Sequence, residues 1–139
     1  MLLQYAFFHD LFFYFVIYSQ QRLLAPEKER AKQFAAEAVQ AIAQDWQPDA
    51  LISRADEVSA KVLNQNDFAG TFNRWKDAVG GLNKIDGVHC GNLYPLNKTE
   101  KFTECRVEGY FTHGEVKFDL TLTQHEKEWK IHGLDIHKK

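Results

Sequence analysis

Residues 116–124 read VKFDLTLTQ, and the strict alternation of that stretch sets the fold. Successive side chains of an extended strand point to opposite faces. Val116, Phe118, Leu120 and Leu122 therefore share one face, and Lys117, Asp119, Thr121 and Thr123 share the other. A strand of this kind has one side on a core and one side in water. Residues 112–115 (THGE) form a tight hairpin turn back to an extended segment at 102–111. On the other side, 125–128 turn again into a last strand at 129–137. There Trp129 and Ile131 precede Gly133, and Leu134 and Ile136 follow it. That change of phase predicts a bulge at Gly133 that bends the strand. A first strand is expected at 85–94, interrupted by Gly87 and Gly91.

Upstream the period changes from two to three or four. Pro26 and Glu27 suit the first turn of a helix. Ala31, Phe34, Ala35, Ala38, Val39 and Ile42 then give one apolar face over 27–44. Pro48 disfavours helical geometry at the residue before it. Asp49 is expected to cap a short helix over 50–55, carrying Leu51 and Ile52. Val58, Val62 and Leu63 suggest another turn or two of helix within 56–65. Asn66 or Asp67 then opens a helix with Phe68, Phe72, Trp75 and Val79 on one side, closed by Gly80-Gly81. Helices come first and a four-stranded antiparallel meander follows. The fold class is α+β, with N-terminal helices packed on a curved sheet. No internal repeat interrupts it.

The chain has 139 residues and a formal net charge of −2, which suits one domain and leaves no electrostatic footprint for nucleic acid. Residues 1–18 (MLLQYAFFHDLFFYFVIY) are apolar except for Gln4, His9 and Asp10. A spanning helix needs about 20 mostly apolar residues, and the unbroken run 11–18 suits a signal-peptide core better. Residues 1–24 are thus set apart as a signal or anchor-like segment, with possible membrane contact through 1–18, and 25–139 as the domain. A packed N-terminal helix and an early start codon are the other readings. Arg22, Lys28, Arg30 and Lys32 follow the apolar stretch, and the positive-inside rule alone would keep the domain cytoplasmic.

Three pieces carry a resemblance: AVQAIAQDWQPDALISRA (38–55), FNRWKDAVGGLNKI (72–85) and the closing EWKIHGLDIH (128–137). In that order, over about residues 27–137, the chain resembles the nuclear transport factor 2-like (cystatin-like) superfamily. The resemblance implies a cone-like roll, and within the superfamily it points to small bacterial envelope proteins. Ketosteroid isomerases and polyketide cyclases share the fold, with a pocket inside the curled sheet, so the fold alone does not settle function.

Cys90 and Cys105 fall on the first two expected strands, where neighbours can come close enough to bridge. A disulfide fits an exported protein; two buried thiols would fit a cytoplasmic one. Family habit and the cysteine pair favour the periplasm or a membrane-anchored extracytoplasmic face over the cytoplasm. The six histidines show no HxH or HExxH spacing, so no metal site is expected. Phosphate-cradling glycine loops, nucleophile elbows and dinucleotide fingerprints are absent, and no cofactor is expected. An isomerase would need a carboxylate base and a Tyr or protonated acid at the enolate oxygen. Tyr110 and Asp135 are the better-placed candidates, ahead of Glu104 and Asp119, which is out of phase with the apolar row. Trp75 and Trp129, with Trp46, are pocket or core aromatics. Asn97-Lys98-Thr99 matches a glycosylation sequon and reads as a loop. The expectation is a non-catalytic domain that binds a partner protein or small apolar ligand, with an isomerase, cyclase or dehydratase as the alternative. A homodimer through the open sheet face is a further possibility.

Overall fold

The computed structural model describes residues 25–65 and 67–139, so the apolar stretch 1–18 and the 1–24 boundary lie outside the described residues. The alternation of 116–124 is realised as read. Val116, Phe118, Leu120 and Leu122 are buried, while Lys117, Asp119, Thr121 and Thr123 are partly exposed on the opposite face. The elements are α1 (Ala25–Asp45), α2 (Pro48–Ile52), α3 (Glu57–Gln65), α4 (Phe68–Val79), β1 (Leu82–Cys90), β2 (Tyr94–Pro95), β3 (Glu100–Phe111), β4 (Gly114–His125) and β5 (Glu128–Lys138). The strands pair antiparallel in the order β1-β3-β4-β5, with β2 also on β3, and the sheet does not close into a barrel.

α1 lies on one face of the sheet through Ala31, Ala35, Ala38, Val39, Ile42 and Ala43, all fully buried. Four of these six are alanine, and small side chains let a helix backbone approach the strands closely. Buried Gln124 of β4 donates a hydrogen bond to the Glu27 carboxylate, which ties the start of α1 to the sheet. At its other end α1 stops at Trp46, whose φ of 53° is left-handed and ends the helix without a glycine. The Trp46 ring is 2 % exposed and sits among Phe72, Trp75, Phe111 and Phe118 with ring centroids 5.6–6.1 Å away. Its indole Nε1–H donates to the Gly80 carbonyl at 2.8 Å. One side chain thus joins α1, α4, β3 and β4.

The differences from the sequence reading lie at element ends. α2 opens at Pro48, with extended Gln47 before it, so Asp49 belongs to the first turn and does not cap. The stretch over 56–65 is a true helix, α3, and Asp56 caps it by accepting from the Ser59 amide at 2.8 Å. Asp67 caps α4, accepting from the Gly70 amide at 3.1 Å. β1 starts three residues earlier than expected and ends at Cys90, and Tyr94–Pro95 pairs separately with β3. Two register irregularities in β1 explain why alternation could not locate it. The bulge in β5 is where the phase change put it: Leu122 pairs with Ile131 and Thr121 with Gly133, leaving His132 as the extra residue.

Candidate functional site

The four pocket candidates fall on opposite faces of the sheet. Trp75 is partly buried and stacked on Trp46 at 6.1 Å. Trp129 is buried, and its indole N–H has no acceptor among the described residues. Both belong to the helix-facing side. Tyr110 and Asp135 are exposed on the other face. Tyr110 pairs with Glu115 and Asp135 with Asp119, one strand further on. Strand geometry then separates them by roughly 15 Å. The Asp86 and Glu115 carboxylates hold the Tyr110 phenol above its ordinary range. Arg106, bonded to Asp119 at 2.8 Å, holds that carboxyl low. The structure therefore brings neither Tyr110 and Asp135, nor either of them and the tryptophans, into one site.

The helix-facing side of the sheet is filled by Trp46, Phe72, Phe118 and their neighbours. A hollow of 670 Å³ opens on the other face. Its floor is Phe102 from β3 with Thr121 and Thr123 from β4, residues in the outward phase of their strands. Leu96 forms one wall, set by the loop before β3. There the Asn97 side chain accepts from the Thr99 and Glu100 amides, both at 2.9 Å, and the Leu96 amide donates to the Glu100 carbonyl at 2.9 Å. The sequon is thus a side-chain-closed turn.

The facing wall is the segment 54–58. Ala55 makes a parallel bridge to Ile131, with Ile131 donating to the Arg54 carbonyl at 2.8 Å and Asp56 donating to the Ile131 carbonyl at 2.9 Å. The bulge turns His132 towards this wall, and its Nδ1 lies 2.6 Å from Asp56 Oδ2. The Ser59 hydroxyl donates to the His132 carbonyl at 2.9 Å. Partial burial pushes the Asp56 carboxyl up, but the Ser59 amide and His132 outweigh it, and the net displacement is downward. An imidazole held through Nδ1 has a fixed ring orientation and leaves Nε2 for a ligand or a proton.

Around the rim stand Glu57, Glu100, Glu126 and Glu128, with Lys130 as the only Lys or Arg among the lining residues. His125 sits between Glu100 at 4.0 Å and Glu126 at 3.8 Å. Beyond Val58 and His132 the cleft adjoins a second hollow of 300 Å³ between α3 and β5, lined by Leu51, Val62, Leu63, Ile131 and Leu134.

No group of three or more His, Cys, Asp or Glu fit to hold a metal occurs among the described residues. Cys90 and Cys105 face each other across β1 and β3 and are joined as a disulfide. That bridge is compatible with an oxidising compartment. No helix among the described residues is long and apolar enough to cross a membrane.

The pair that shapes the cleft wall, Asp56 and His132, was absent from the sequence candidates. Two signals pointed to it. An Asp just before a helical apolar pattern is a helix-cap signal, and a phase change in a strand marks a bulge that re-aims a side chain. Compared with known proteins, the chain matches no family model, no curated protein and no solved structure.

Proposed function

We propose that this protein is a non-catalytic binding domain of the cell envelope. Its cleft on the open sheet face takes a small organic molecule with an apolar body and a positively charged end. The observation that carries this reading is one hollow combining an uncharged floor (Phe102, Thr121, Thr123) with an acidic rim. Its volume lies in the ordinary range for small-ligand sites, about 300–1,000 Å³. A rim of one predominant sign over a low-dielectric floor focuses the field and concentrates the opposite charge. The envelope part draws on the disulfide and on the apolar stretch 1–18. The order of helices and strands supports the resemblance to the nuclear transport factor 2-like superfamily, and membership in it is part of this proposal.

A second reading, a small-molecule isomerase, cyclase or dehydratase, has one observation in its favour. The Asp56–His132 pair supplies an oriented acid–base group on the cleft wall. It requires turnover that is lost in His132→Gln.

The binding reading is tested by calorimetry with decyltrimethylammonium and decyl sulfate, both below their micellar concentrations. The cation is expected to bind at least about tenfold more tightly than the anion, and Glu126→Lys with Glu128→Lys should erase the preference. Equal binding of the two, or none of either, overturns it.

A further inference from the structure

The two halves of β5 have different neighbours on the side away from β4. Its first half is covered by the Arg54–Asp56 contacts to Ile131 and by Ser59 on His132. From Leu134 to Lys138 the strand pairs only with β4 among the described residues. The Lys139 amide donates to the Glu115 carbonyl, and bonded and non-bonded pairs alternate along an antiparallel ladder. Asp135 and His137 thus bond to β4, while the amides and carbonyls of Leu134, Ile136 and Lys138 point to the open side. An open edge of this kind is a template for another strand.

We propose that this edge is an interface for a second copy of this chain, which pairs antiparallel along β5 with Ile136 facing Ile136 on the two-fold axis. The register follows from the pairing of polar side chains. Asp135 stands directly opposite Asp119 across β4 and β5, a like-charge pair that is unfavourable by itself. Asp119 already receives Arg106 at 2.8 Å and has His137 at 3.6 Å, whereas Asp135 has no ionic or hydrogen-bond partner among the described residues. Centring the pairing on Ile136 puts Asp135 opposite His137 of the second copy, and two-fold symmetry repeats the contact. These are non-bonded pair positions, where facing side chains come closest. On the helix side Leu134 meets the aliphatic stem of Lys138 from the second copy. About six main-chain hydrogen bonds form. The pairing stops at Leu134, short of Ile131, so the Arg54–Asp56 segment keeps its place.

The test is sedimentation of the full-length chain. The wild type should be a dimer whose dissociation constant rises about tenfold or more in Asp135→Lys. Adding His137→Glu to that variant sets a carboxylate opposite the new lysine and should restore the dimer. Because association could also arise elsewhere, Ile136→Cys should cross-link to itself under mild oxidation, and Lys130→Cys, beside the cleft, should not. A wild-type monomer, a dimer indifferent to both charge variants, or failure of Ile136→Cys to cross-link overturns the proposal.

Discussion

The Trp46 junction and the Asp56–His132 wall sit on different sides of the same sheet and are held by different forces. Around Trp46, four aromatic rings and one buried indole hydrogen bond fix α1, α4 and the sheet together. At the wall, α3 is held by a cap, a His–Asp contact and a few backbone bonds, and its Val58 and Val62 are 69 % and 53 % exposed. Burial of aromatic area dominates stability, while solvent-exposed polar pairs contribute little. The first region maintains the fold. The second has little buried area to lose if it rearranges, which suits the proposed binding role.

The largest effect should come from breaking the junction. Trp46→Ala removes the shared ring and strands the Gly80 carbonyl, and should cost about 4 kcal/mol of global stability in urea unfolding. A loss under 1 kcal/mol would mean that the junction is not the keystone. Gly80 comes next. Its φ of +75° disfavours any side chain, and an added Cβ would lie 2.9 Å from Thr112 Cβ. Gly80→Ala should cost about 2 kcal/mol. Asp56→Ala should be the mildest, about 1 kcal/mol. Its effect should be confined to α3: amide exchange there accelerates while the global midpoint barely moves.

The same comparison has a pH signature. The Asp56 carboxyl titrates below its ordinary value in the folded chain. Its contribution is therefore complete above the unfolded value of about 4 and disappears as pH falls through the lower folded value. Amide protection in α3 should weaken in that acid window before protection around Trp46 does. Simultaneous loss in both regions would erase the distinction.

The fold was legible wherever burial imposes a period. β4 and the apolar faces of α1 and α4 repeat at two or at three to four residues, and the bulge at His132–Gly133 shows as a break in that repeat. β1 was misplaced because its own irregularities blur the alternation. The role of Trp46 carries no periodic signal, since it lies just past a helix end. The cleft wall was illegible for a related reason. Asp56 and His132 are 76 residues apart, and although the cap and the bulge each leave a local signal, nothing in either segment says that the two side chains meet. Asp135, suggested as a pocket acid, lines a hollow with Glu104 and Asp119 on the outer face, beside the free edge of β5.

The most direct test of which face carries function is a residue-resolved NMR titration of the full-length chain with decyltrimethylammonium. The account predicts shifts at Phe102, Thr121, Thr123 and His132, with Val107, Phe118 and Phe72 unmoved. Shifts concentrated at Phe72, Phe118 and Trp75, with Thr121 and Thr123 silent, would place the ligand between helices and sheet and contradict it.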